Sequence, residues 1–557
     1  MLMTKKILCL ALAVMMIALS ACGGKEEKKN TELKIGVSGM EGNFNPFFCE
    51  GEADGRIINQ VYPTVLRFDS AGKPVNNFGS ITYEYTESGK VKYTVTLRDN
   101  LYYSDGTAVS VDDIIFWYHV IADASYTGPY AGFRNCGIEG LMEYYTDDPQ
   151  YSGNASKYAG NTSLAKSYIA DNYENGIDVK EISGIKRIDN HTCTILFDSR
   201  NINSLPAVNA RIVPRSFFGA DYIKGAADKI KEIRSETLGC GKYEITEYSE
   251  KDGRTVLGIN KYYAAGAASG FEAPFFTKIE FRDIEPGKLV KEAADGKVDI
   301  IKAPATPDTL SALNSASLKT FITNDTKYTS LFISAKVPVD ARQILMSLCS
   351  PAAELEKAYG SYRTQLTRPM NVRFDEYPAG AQLYYGPTMK SSFLSTIVTS
   401  LTAYYTEGGE EVDRQILESF AQGLGDYGVK LNVLPCKRGE IGKLAKSGKA
   451  DMWIMSVEDG ATPDKYDYYH SSGVMNYTGI SDTGIDELTE KIRAATGFTD
   501  RKALYAELLD DIMELAIELP LYELQYVTAF STAVVDAKSL EDAAAYADYS
   551  DMLDILY

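Results

Sequence analysis

The sequence predicts an α/β protein built from more than one domain, and three observations carry that expectation. The chain has 557 residues, more than a single core organises, so two to four domains are expected. Residues 412–457 alternate helix and strand. Val412, Ile416, Leu417, Phe420 and Leu424 form a helical stripe ending at Gly425, and Val429, Leu431 and Val433 alternate as a strand. A short helix at 441–446 is followed by the near-continuously apolar run Asp-Met-Trp-Ile-Met-Ser-Val at 451–457, the pattern of a strand covered on both faces. That order implies a βαβ-type sheet with crossover helices. Residues 91–123 read as strand, turn and helix. Val91, Tyr93, Val95 and Leu97 alternate with polar residues, Ser104-Asp105-Gly106-Thr107 is turn chemistry, and Ser110 caps a helix with Asp113 at its third position. That helix puts Val111, Ile114, Ile115, Tyr118 and Ile121 or Ala122 on one face.

Composition excludes several classes. Apolar content of 45% and charged content of 24% are those of an ordinary globular protein. A formal net charge of −19 argues against nucleic acid, which needs a basic face. It fits simple solubility and mildly favours ligands that carry an amine. Three histidines (His119, His191 and His470) are few for a transition-metal site. The eight cysteines contain no Cys-x-x-Cys, so a zinc site is unsupported. Cys49, Cys136, Cys193, Cys240, Cys349 and Cys436 are far apart, and their pairing cannot be read from sequence.

The first residues form an export segment. Lys5-Lys6 precede an apolar run at 7–19, about 20 Å as a helix and too short to span a membrane of about 30 Å. Leu19-Ser20-Ala21-Cys22 resembles a bacterial lipobox, so residues 1–21 are expected to be a lipoprotein signal peptide and Cys22 the lipidation site. The polar stretch 22–31 reads as a flexible tether.

A strand ending Leu97-Arg98-Asp99, an aromatic, Ser-Asp-Gly-Thr, then Asp112-Asp113 before an apolar-aromatic helix resembles the signature of family 5 extracellular solute-binding proteins. These are the peptide-, nickel- and oligosaccharide-binding subunits of bacterial ABC importers. Further landmarks recur in order. They are Asn45-Pro46-Phe47, Pro129-Tyr130-Ala131, Gly239-Cys240-Gly241-Lys242-Tyr243, the run 289–301, the strand and Asp340 helix at 328–348, the loop after Val457, and Leu519-Pro520-Leu521-Tyr522. The resemblance implies a bilobal periplasmic-binding-protein-like fold, type II and cluster C-like, with an extra subdomain in the first lobe. The expected division is 32–66 and 201–305 for the first lobe, 67–200 for the extra subdomain, 306–519 for the second lobe, and 520–557 returning to the first.

The same resemblance implies the site. Asp459 matches a carboxylate that pairs with a peptide's α-amino group, where the residues alone read it as a turn aspartate. Cys49, Glu50 and Gly51 lie on a loop beside the ligand; by itself Glu50 reads as a solvated carboxylate. Tyr130, Cys240, Val457, Asn476 and Tyr522 are the other expected contacts. Cys240 stands where relatives carry Thr or Asn, and Ser456 and Arg438 stand where aromatics are usual. His470 reads as a satisfied loop residue, with metal or haem ligation as the alternative.

The expected function is that of a substrate-binding subunit, lipid-anchored on the outer face of the cytoplasmic membrane or on the periplasmic side. It would act as a monomer without cofactor, pass oligopeptides to ABC permease subunits, and bind no nucleic acid. Nickel, haem or oligosaccharide ligands, and peptide sensing without transport, are the alternatives. An enzyme is disfavoured: the sequence has no Gly-x-Ser-x-Gly, His-Glu-x-x-His or phosphate-loop motif.

Overall fold

A computed structural model describes residues 31–68, 74–158, 163–263, 273–380, 390–437, 439–460, 462–543, 553 and 556–557. Cys22, most of the tether and Arg438 lie outside the described residues. The architecture rests on one strand, Glu518–Phe530, whose thirteen residues are almost all buried. It is the spine of a twelve-stranded sheet. Its first part pairs with Lys327–Ile333, from Phe332 against Glu518 to Thr329 against Tyr522. Its second part pairs with Ile300–Pro304 on one edge and with Lys319–Asn324 on the other.

Outward from Lys327–Ile333 lie Met452–Glu458, Ser400–Thr406 and Lys430–Cys436. Ser400–Thr406 is parallel to both of its neighbours, and the helix Glu411–Gly425 makes the crossover expected from the apolar stripe. Beyond Ile300–Pro304 the order is Glu32–Val37, Lys278–Asp283, Arg254–Ile259 and Tyr243–Ser249. Each half of the sheet has its own apolar core, which defines two lobes.

The chain passes between the halves at two adjacent points. One is at Asp325, between Lys319–Asn324 and Lys327–Ile333; the other is within the long strand near Leu524. The Asp325 amide donates to the Leu524 carbonyl (2.9 Å), tying the two crossings side by side. Residues 306–324 stay with the first half, past the boundary expected at 305. The helix Pro307–Ser315 buries Leu310 and Leu313 against Leu289 and Ala293, together with Val527 and Ala529 of the long strand.

A four-stranded sheet, ordered Gly79–Tyr85, Val91–Leu97, Thr192–Phe197 and Ile185–Arg187, forms an appendage to the first lobe. The helix Val111–Ala122 carries the expected capping box: Ser110 accepts from the Asp112 amide, and Asp113 accepts from the Ser110 amide (2.9 Å). It is buried more widely than one stripe, with Phe116, Trp117 and Val120 also inside, because the ring of Phe47 stacks on Trp117 from the opposite side (4.9 Å).

Gly239 and Gly241 permit a close approach, as the glycine spacing suggests, but the neighbour is protein backbone. A Cβ on Gly239 would lie 2.1 Å from the Val61 carbonyl oxygen, and one on Gly241 2.1 Å from that of Gln60. Gly241→Ala is therefore expected to destabilise the chain by about 1–3 kcal/mol, read as a lower urea midpoint. An unchanged midpoint would contradict the packing described.

Candidate ligand cleft

The site is built where Met452–Glu458 ends. One edge of this strand is fully paired with Lys327–Ile333. The other edge pairs only at Met452 and Trp453, against Ala403 and Tyr404. Among the described residues no strand covers the second edge of 455–458. Ser456 and Glu458 are exposed, while Val457 points into a core with Tyr328, Phe332 and Trp453. Ligands of open α/β sheets collect beyond the carboxyl ends of strands, and Asp459 lies at that end.

Asp459 is only 3% exposed and both of its oxygens have partners. Lys465 Nζ stands 2.5 Å from Oδ1, and the Asn371 amide donates to Oδ2 (3.0 Å). Both members of the ion pair have side chains 1% exposed. Lys465 also donates to Tyr328 Oη (3.0 Å), which donates to the Pro369 carbonyl (2.9 Å). Asn371 Nδ2 reaches the Asp325 carbonyl (2.9 Å), joining this network to the crossing. Arg373 donates to the carbonyls of Asp459 and Gly460.

Two carboxyls of the long strand lie beside the network. Glu518 is fully buried and accepts from Tyr469 Oη (2.6 Å); burial pushes its carboxyl up to about 7. Glu523 accepts from the Val372 amide (3.1 Å), and burial pushes it up to about 8. Among the described residues, one buried oxygen of Glu523 has no hydrogen-bond partner.

On the first lobe, Asn45 shapes the loop expected beside the ligand. Its Oδ1 accepts from the Phe47 amide (2.9 Å), and its Nδ2 donates to the carbonyls of Ile230 and Ile233 (2.6 Å each). Cys49 is half-buried with Sγ directed at the Gly51 carbonyl (3.6 Å), Glu50 is exposed, and Gly51 is the N-cap of Glu52–Val61. Tyr126 Oη donates to the Phe47 carbonyl (2.6 Å) and accepts from the Tyr130 amide (3.3 Å). The structure thus brings Tyr130 together with the 45–51 loop, its ring edge-on to Trp117 (4.9 Å). Glu52 is near enough to Asp325 to act on its carboxyl, so this loop and helix flank the crossing.

Other expected contacts are placed elsewhere. Tyr522 does not face a cleft; it is fully buried in the second core and donates to Asp413 Oδ1 (2.7 Å). Cys240 is 2% exposed in the first core, held there by its glycine neighbours' contact with the end of Glu52–Val61. Val457 offers only its backbone. Asn476 spends its amide on the carbonyls of His470 and Ile480 (3.1 and 2.8 Å) and the Gly479 amide (3.0 Å). His470 stacks on Tyr466 (4.0 Å) and accepts from the Ser472 amide (3.0 Å) at Nδ1. Among the described residues no group of three or more His, Cys, Asp or Glu could hold a metal ion. The six described cysteines are all free thiols.

The lobes also touch away from the crossings. Asn203 Nδ2 donates to Asp464 Oδ2 (2.6 Å), and its Oδ1 accepts from Thr462 Oγ1 (2.7 Å). The Ile202 amide donates to the Arg493 carbonyl (3.1 Å), and Arg493 Nε donates to Asp464 (2.7 Å). The neutral Asn203–Thr462 bond contributes about 1 kcal/mol, and the bond to the Asp464 carboxylate about 1.5–3 kcal/mol. Asn203→Ala is expected to raise the open-to-closed ratio tenfold or more, read as a larger radius of gyration in solution scattering. No change would mean that the clasp does not hold the lobes together.

A two-lobed α/β protein whose sheet crosses between lobes at two adjacent points is the architecture of a bilobal solute-binding protein. The family described as bacterial extracellular solute-binding proteins, family 5, matches residues 81–477, and the chain belongs to that family. Among curated proteins, the oligopeptide-binding protein OppA of Bacillus subtilis (strain 168) is 27% identical over 125 residues, covering 21% of this chain and 23% of that protein. The "Probable di/tripeptide-binding protein 5" of Pseudomonas aeruginosa (strain UCBPP-PA14) is 22% identical over 376 residues, covering 62% of this chain and 68% of that protein. Among solved structures, lactococcal OppA with an endogenous peptide in the closed conformation superposes with a TM-score of 0.74 at 16% identity, covering 95% of this chain and 100% of that one. NikZ of Campylobacter jejuni with Ni(L-His) gives 0.64 at 14% identity, covering 90% and 94%. At these identities the superpositions establish the fold alone.

Proposed function

We propose that this chain captures oligopeptides between its two lobes and delivers them to the permease of an ABC importer. The observation that carries the proposal is the uncovered edge of 455–458. An extended peptide can add to such an edge through main-chain hydrogen bonds, which bind without demanding a particular side-chain sequence. The loop at 49–51 and Tyr130 are the first-lobe surfaces that would close over it, and the paired crossings at Asp325 and Leu524 are the natural hinge. Closure needs contacts that the ligand makes better in the closed form, and binding needs no bond chemistry from the protein.

Export and anchoring belong to the same proposal. The leader at 1–21 would be removed and Cys22 would carry lipid, with 22–31 as the tether. Among the described residues no helix is long and apolar enough to cross a membrane. The subunit would work as a monomer beside its permease.

The test is calorimetric titration of the mature chain with a degenerate nonapeptide library, alongside solution scattering. Saturable binding with a smaller radius of gyration is expected. Saturable binding of a nickel chelate or an oligosaccharide, with none of peptide, would move the ligand to another class of the same family.

A further inference from the structure

We propose that Lys465 fills on Asp459 the place of a ligand's ammonium group, so that this protein takes peptides without regard to a free amino terminus. The inference rests on the peptide reading and names the ligand class more closely.

Asp459 lies at the end of the uncovered edge, where a peptide added along 455–458 would place one of its ends. A carboxylate there serves as an amine anchor only if its charge is unpaired and within the ligand's reach. Here it is neither: Lys465 Nζ stands 2.5 Å from Oδ1, and the Asn371 amide donates to Oδ2 at 3.0 Å. The two charged side chains are each 1% exposed. Lys465 is held in place from its other side by Tyr328 Oη at 3.0 Å, and its Nζ lies 4.8 Å from the centre of the Tyr328 ring. Tyr328 is itself 1% exposed and bonded to the Pro369 carbonyl. The cation is therefore built into the core and is not a surface side chain that a ligand could displace by rotation.

A ligand ammonium brought here loses its water and meets an already neutralised pair, with the Arg373 guanidinium on the adjacent carbonyls of Asp459 and Gly460. An ion's desolvation is offset only by an excellent unpaired counter-charge, and none is offered. A neutral end meets no such penalty. An N-acylated peptide, or the interior of a longer chain passing this point, suits the site as well as a free terminus does.

The experiment uses the mature chain and one degenerate nonapeptide library, prepared with free and with acetylated amino termini. Calorimetry is expected to give Kd values within about twofold of each other. A loss of tenfold or more on acetylation overturns the inference and leaves the peptide reading intact. Binding of neither library overturns the peptide reading, and the inference with it. Lys465→Met, which uncovers the carboxylate, is expected to create a tenfold or greater preference for the free amine. A folded Lys465→Met protein that discriminates no better than the parent overturns the inference. Should that variant not fold, the comparison of the two libraries on the parent chain decides alone.

Discussion

Asp459→Ala is expected to lower the unfolding free energy by about 3–5 kcal/mol, the cost of stranding one charge of a buried pair. The residue left behind is Lys465, whose side chain is 1% exposed and whose remaining hydrogen-bond partner among the described residues is Tyr328 Oη. The Asn371 amide loses its acceptor in the same change, so the turn that joins the network to Asp325 loosens too. The double variant Asp459→Ala/Lys465→Met removes both charges and is expected to recover most of the loss, since apolar replacements of buried pairs are often neutral. Urea unfolding of the parent, both single variants and the double variant gives the coupling directly. Additive effects would mean that the pair is not formed in solution. The family resemblance implies a different outcome for Asp459→Ala, a loss of peptide affinity of more than tenfold.

The second large effect is a fall in stability as pH rises from about 4.5 to about 8. Glu518 and Glu523 hold their protons in the folded chain up to about 7 and about 8, and Asp413 up to about 7; burial is the main cause for all three. The unfolded chain releases the glutamate protons near 4.5. Over the window between, the folded state binds more protons than the unfolded one, so stability declines with rising pH. The stabilisation is complete below the unfolded pKa values and is lost through the folded ones. Carboxylates held low by partners, such as Glu181 beside His119, act below this window and do not offset the decline. For Glu518 the separation corresponds to a fall on the order of 3 kcal/mol. Chemical denaturation at pH 5 and pH 8 checks it. Glu518→Gln, a mimic of the protonated group, is expected to flatten the dependence, and an unaltered slope would show that Glu518 is already ionised in the folded chain.

These features differ in how far the sequence exposes them. The stretch 91–123 was legible because alternation, turn residues and a capping box all agree there, and the crossover helix at 411–425 because its apolar stripe is strong. Tyr522 was misplaced because Glu518–Phe530 is buried on both faces, so alternation cannot tell which side meets a cleft. The glycines flanking Cys240 announce a close approach, but their partner, the backbone at 60–61, lies far away in sequence. The Asp459–Lys465 pair joins residues six apart that lie outside any regular element, so it has no periodic signature. A signal did exist for Glu518 and Glu523, two acids in a thirteen-residue run that is apolar apart from them, Gln525 and Thr528; charges in a buried strand announce a polar network. Lobe crossings at Asp325 and Leu524 escape sequence because the helix Pro307–Ser315 looks the same whichever lobe it packs on.

The central claim is that a peptide occupies the space beyond 455–458. Native mass spectrometry of the mature chain, purified without denaturation, followed by identification of whatever is released, tests it most directly. A mixture of peptides of varied sequence is expected, with no requirement for a free amino terminus among them. Release of a metal chelate, a haem or a sugar, in place of peptides, would contradict it.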